Sequence, residues 1–244
     1  TLMRSSAASD VYKRQLLDGD VQGKLQGMSK QLKQVSIDTG AATSDLTDGL
    51  YQVVSAFGES AESVKQLEIA AKAAKAGNAT TTDSVNMLSA VTKGYGDTSA
   101  AALQKASDLA FLTVKLGQTS FPELASSMGQ VVPLAATMKV SQEELFGAMA
   151  TLTGVTGGTA EVTTQLRATM QEFLSPSSQM EKALKKMGYT SGAAALESEG
   201  LGGILTKLKE SVKGDEVAFA NLFSSIESKN AVLALSLIHI SEPT

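Results

Sequence analysis

Few residues in this 244-residue chain are of types that could run a reaction, and their spacing argues against each one. Glu143-Glu144 is an adjacent carboxylate pair, and paired carboxylates are the tools of glycosidic chemistry. Neighbours on a helix point about 100° apart, however, and Glu144 already has a role three residues after Ser141, as part of a helix cap. Thr206-x-x-Lys209 is the nearest approach to a Ser-x-x-Lys nucleophile–base dyad. Gly94-Tyr95-Gly96 and Gly202-Gly203 lack the spacing and the following lysine of a phosphate-binding loop, and read as helix ends. There is no cysteine, and the one histidine, His239, stands in the C-terminal tail. Ser-His-Asp, Cys-His and zinc-type arrangements therefore have no members. Arg167 could bind an anionic partner, but its forked guanidinium is better suited to a salt bridge or a carbonyl cap within a bundle. No catalytic, cofactor-binding or metal-binding residue is assigned, no cofactor is expected, and the chain is expected not to be an enzyme.

The two ends read differently from the rest. Ser5–Gln15 (SSAASDVYKRQ) resembles a translated transposase sequencing adapter, and Leu235–Thr244 (LSLIHISEPT) resembles its partner. Residues 1–15 and 235–244 are therefore expected to be adapter-derived artefact. The natural segment is expected to be Leu16–Ala234, a fragment of a longer gene, with His239 foreign to it. The end segments should make no specific packing, apart from an apolar run, Leu235 to Ile240, that can prolong the last helix by chance. Of 21 basic residues, removing Arg4, Lys13 and Arg14 leaves 18; of 25 acidic residues, removing Asp10 and Glu242 leaves 23, a formal charge of −5. That balance argues against a dedicated nucleic-acid surface, which needs clustered Lys and Arg. The longest apolar runs, such as Val131–Met138, fall short of the roughly 18–20 residues that span a bilayer.

Helical periodicity dominates between those ends. Val21, Leu25, Met28, Leu32 and Val35 are spaced 4-3-4-3, the seam of an amphipathic or coiled-coil-like helix over 16–40. Ser120-Phe121-Pro122-Glu123 and Ser141-Gln142-Glu143-Glu144 both predict capping boxes. Ser175-Pro176 predicts a helix start with Ser at N-cap and Pro in the first turn. Gly58, Gly77, Gly96, Gly117, Gly157, Gly188 and Gly214 follow apolar-periodic stretches, as left-handed C-caps would. Leu145, Met149 and Leu152 predict one inward face, and Leu166, Met170 and Phe173 another. The methionines Met128, Met138, Met149, Met170, Met180 and Met187 share helical spacing with leucine, which makes them core residues before a binding groove. Beyond Gly188 the pattern loosens through Gly203. Two more helices are expected near Ile204–Val212 and Val217–Val232, with Phe219, Leu222, Phe223 and Ile226 inward. No stretch alternates with period two. The fold class is all-α, a multi-helix bundle or an array of short helical hairpins, with about eight to ten helices. The expected divisions are 16–40, a helical domain over 41–190, and C-terminal helices over 191–234.

Six landmarks then stand in register: Leu50–Gly58, Ala70–Gly77, Lys93–Gly96, Val132–Ala136, Gly157–Arg167 and Leu174–Gly188. In order and spacing they resemble the globular region of phage tail tape-measure proteins. The resemblance implies a structural virion protein that sets tail length during assembly and leaves with the genome at ejection. It implies tail-tube and tail-tip proteins, tail assembly chaperones and several copies of itself as partners. The implied location is the tail-tube lumen of the virion, and the host cytoplasm during assembly. Two alternatives remain open. The chain could be the non-catalytic part of a tail protein whose cell-wall hydrolase domain lies outside this fragment, or a membrane-active helical protein that contacts the membrane during genome entry.

Overall fold

The computed structural model describes residues 21–238 and divides into two compact units that meet at Ser107/Asp108, within one helix. Among the described residues there are twelve helices and no strand. The all-α class stands; the count exceeds the expected eight to ten because the C-terminal part is cut more finely than its periodicity suggests.

The first unit holds α1 (Val21–Thr39), α2 (Thr43–Phe57), α3 (Ser63–Gly77), α4 (Thr81–Gly94) and the start of α5 (Ala100–Leu116). Helices α2, α3 and α4 pack on one another, and α1 lies against α2 and α3. Leu46, Val53, Leu67, Leu88, Val91 and Leu103 fill the core, and Ala70, Ala71, Ala73 and Ala74 bury a whole side of α3. These small side chains let the helix axes approach, so dispersion is gathered from many short contacts. Gly49 shows how tight the approach is: a Cβ there would stand 2.5 Å from Thr81 Cγ2 and 2.9 Å from Leu67 Cδ1. In α1, Leu32 and Val35 of the predicted seam are buried; the side chains of Val21, Leu25 and Met28 lie outside the described residues.

The second unit holds the rest of α5, then α6 (Phe121–Thr137), α7 (Gln142–Val155), α8 (Thr159–Leu174), α9 (Ser178–Lys186), α10 (Gly192–Ser211), α11 (Glu216–Ala220) and α12 (Ile226–Ile238). Helix α8 packs against α6, α7, α10 and α12. Its Val162, Leu166, Met170 and Phe173 are buried together with Met128, Met149 and Met180, so most of the methionine stripe is core. Phe173, Phe219 and Phe223 form edge-to-face contacts with centroids 6.1 and 5.7 Å apart. Both predicted capping boxes are present, at Ser120/Glu123 and Ser141/Glu144.

Several local expectations need correction. The helix expected to start at Ser175 has Ser177 as its N-cap, accepting from Met180 N–H at 3.1 Å, while Ser175 ends the helix before it. Gly77 is the last helical residue, and Asn78 takes the left-handed cap at φ 53°. Gly58, Gly96, Gly188 and Gly214 do have left-handed φ; Gly117 does not. It is glycine because a Cβ would lie 2.8 Å from the Ala150 carbonyl oxygen of α7. The stretch 193–203 is helical, with a break at Gly200. The single helix expected over Val217–Val232 is two, α11 and α12, and Ile226 is 72 % exposed where an inward position was expected. The reason is a turn at Asn221–Ser225, which resets the helical phase before Ile226. Finally, α12 runs on to Ile238, the extension allowed for the apolar run after Ala234, while Ser236 is buried where no specific packing was expected. The other end residues, 1–15 and 239–244, lie outside the described residues.

Gly129 and Gly147 sit inside exposed helix turns with open space where a Cβ would go. Gly129→Ala and Gly147→Ala should each raise stability by about 0.5–1 kcal/mol in urea unfolding, from helix propensity alone. Gly192→Ala should lower it, because its Cβ would overlap the Phe173 carbonyl.

Candidate functional site

The residues singled out for chemistry are taken up by structure. Glu143 is exposed and Glu144 is half-buried. Glu144 Oε2 accepts from the backbone N–H and hydroxyl of Ser141, both at 3.3 Å, and Oε1 accepts from Leu201 N–H at 2.9 Å. Glu144 is therefore occupied by two helix starts. Thr206 and Lys209 form no dyad: the threonine hydroxyl donates to the Gly202 carbonyl, and the lysine reaches Ser236 Oγ at 3.3 Å. Gly94 closes α4, Gly96 is left-handed, and Gly202 and Gly203 lie within α10. Arg167 is exposed on α8 and makes no hydrogen bond or ion pair with another described residue. The expected bridge within the bundle is absent because its position falls on the solvent side of the helix. Among the described residues no cluster of His, Cys, Asp and Glu could hold a metal, and no helix is long and apolar enough to cross a membrane.

What the structure assembles instead is a set of carboxylates reaching helix N-termini far away in sequence. The first four N–H groups of a helix have no partner in it, and the partial positive charge there favours an anion. Glu62 Oε2 accepts from Ala100 N–H at the start of α5, at 3.0 Å. Glu172, only 8 % exposed, accepts at one oxygen from Ser224 N–H (2.8 Å), Ser225 N–H (2.9 Å) and Ser228 Oγ (3.3 Å), where α12 begins. Glu144 does the same for the second half of α10. Nothing in the local pattern marks these glutamates; only Glu144, three residues past a serine, carried a signal, and that signal named one of its two partners.

A polar clamp lies beside the break in α10. Tyr189 Oη donates to Glu199 at 2.6 Å, Lys207 Nζ stands 2.8 Å from Glu199 and 3.1 Å from the tyrosine oxygen, and it also sits over the ring. The Lys207 contact, then that of Tyr189, lowers the Glu199 pKa from its ordinary 4.5. The same bonds raise that of Lys207. The hollows of the second unit include one of about 410 Å³ beside Leu205, Lys209 and Ser236, and two others. Of these two, one, of about 430 Å³, is mostly apolar and lined by Glu144, Gly147, Ala148, Leu201, Leu205 and Leu235 among others. The other, about 630 Å³, is lined mainly by Ser177, Gln179, Asn221 and Ser224. Neither sets a nucleophile beside a base.

Residues 29–226, about four fifths of the chain, match the model of the phage-related minor tail protein family. The chain belongs to that family. No curated protein and no solved structure matches it. The tail protein's exposed large apolar side chains include Leu116, Val155, Leu174 and Ile226 at helix ends, with Leu112 one turn before Leu116 on the same face of α5.

Two measurements check the helix-end reading. Glu172→Ala leaves the Ser224 and Ser225 N–H groups at α12 without an acceptor and should cost about 1–3 kcal/mol in urea unfolding, with Glu172→Gln losing less because it keeps an acceptor oxygen. Glu123 has its pKa lowered by the Ser120 hydroxyl and then the Ser120 N–H. A lowered folded pKa gives stability that is present above the ordinary 4.5 and lost as pH falls through the lowered value. Glu123→Gln should therefore flatten the stability–pH curve below that point.

Proposed function

We propose that this tail protein is part of a tape-measure protein. In this reading it determines tail length during assembly and leaves with the genome at ejection. The observation that carries the reading is the family match over residues 29–226. The register of the six landmarks from Leu50 to Gly188 narrows it to the tape-measure class. The described residues agree: their regular structure is all helix, and Glu144 and Thr206 are engaged by backbone groups of α10. A helix advances about 1.5 Å per residue, so helical length can act as a ruler, and a compact domain of short helices would be a folded part of that longer chain.

On this proposal the protein works by geometry and is not an enzyme. Its partners are tail-tube and tail-tip proteins, the tail assembly chaperones and further copies of itself, and its place is the tail lumen. Arg167, exposed on α8 without a partner among the described residues, is available to an anionic group on one of them.

The parent phage supplies the test. An in-frame deletion of a helical stretch outside this domain should shorten tails by about 1.5 Å for each residue removed. Deletions within Leu50–Gly188 should abolish or misassemble tails, because they break a packed unit. Tails of normal length and infectivity after removal of the whole gene would overturn the proposal.

A further inference from the structure

Helix α10 carries two apolar stripes that do not agree in phase. Gly192, Ala195 and Leu196 are buried in its first half; Leu201, Ile204, Leu205 and Leu208 are buried in its second. At about 100° per residue, a straight helix would place these two stripes on nearly opposite sides. Both are buried in one unit only because the helix breaks at Gly200, whose φ of 70° and ψ of 175° are far from helical. Two contacts hold the break. Leu201 N–H, which a straight helix would give to the Glu197 carbonyl, goes to Glu144 Oε1 at 2.9 Å. Glu199 and Lys207 are joined at 2.8 Å, although a straight helix would separate them by about 12 Å of rise.

We propose that α10 is a two-state hinge with the Glu144 carboxylate as its latch. Latched, the helix is bent at Gly200 and both stripes face the core. Released, Leu201 N–H returns to Glu197, the halves join as one helix, and one stripe turns outward. Glycine at position 200 permits both states: the bent one needs left-handed φ, and a Cβ there would overlap the Glu144 carboxylate. Glu144 couples the hinge to the start of α7, since its other oxygen closes the Ser141 capping box. A displacement of that helix end would pull the latch away. The hinge needs only α7 and α10, so it stands or falls separately from the ruler reading.

The full chain contains no cysteine, so Ala193→Cys and Glu210→Cys place two spin labels uniquely. A continuous helix would set these positions about 26 Å apart. The otherwise unaltered labelled chain should give a single, shorter distance. Glu144→Ala should add a second population near the straight-helix distance, with more binding of an apolar dye. Ser141→Ala, which removes the α7 cap but leaves the carboxylate for Leu201, should keep the single short distance. Glu144→Ala with Gly200→Ala, which disfavours the bend twice over, should make the long distance dominant. A folded Glu144→Ala protein with only the short distance would overturn the hinge. So would one that loses its cooperative melt, because the contact would then be a stability contact and not a latch.

Discussion

A chain cut into short helices has many free helix ends, and satisfying them is the constraint on which this structure rests. Each helix start leaves N–H groups that must find an acceptor if they are not in water. Ser120, Ser141, Ser177, Ser191, Thr80 and Asp215 meet part of that need from the chain itself. Glu62, Glu144 and Glu172 meet more of it from elsewhere in the sequence, and in doing so fix where α5, the second half of α10 and α12 begin. The last case is the most demanding. A carboxylate as buried as that of Glu172 would be costly alone, and three donors to one oxygen offset the cost.

Close helix approach is the companion of this end chemistry. With no tryptophan and few aromatic residues, large anchors are scarce. Alanine on α3 and glycine at 49, 117 and 192 let backbones come near enough for many small contacts to add up. The few large side chains gather where several elements meet, as Phe173, Phe219 and Phe223 do in the second unit. Such a core tolerates little added volume at those glycines, while Gly129 and Gly147 face open space and carry no such restriction.

The same economy explains why the chain looks empty of chemistry. The carboxylates of Glu62, Glu144, Glu172 and Glu199 are engaged by N–H groups, hydroxyls or a lysine. The exposed apolar residues at helix ends and the exposed Arg167 are the features left over from packing.

The all-α class, both capping boxes, the inward faces of α7 and α8 and the burial of the methionine stripe were legible in the sequence alone. All of these depend on relations three or four residues apart, which a helix converts directly into geometry. Other features were decided only in three dimensions. Gly200 breaks α10 because two stripes out of phase must reach one core. Ile226 turns outward because the turn before it resets the helix. Glu62 and Glu172 became caps because distant helix ends came to rest beside them, 38 and more than 50 residues away along the chain. Local pattern carries no record of such meetings; packing and the demand of unsatisfied backbone groups choose them.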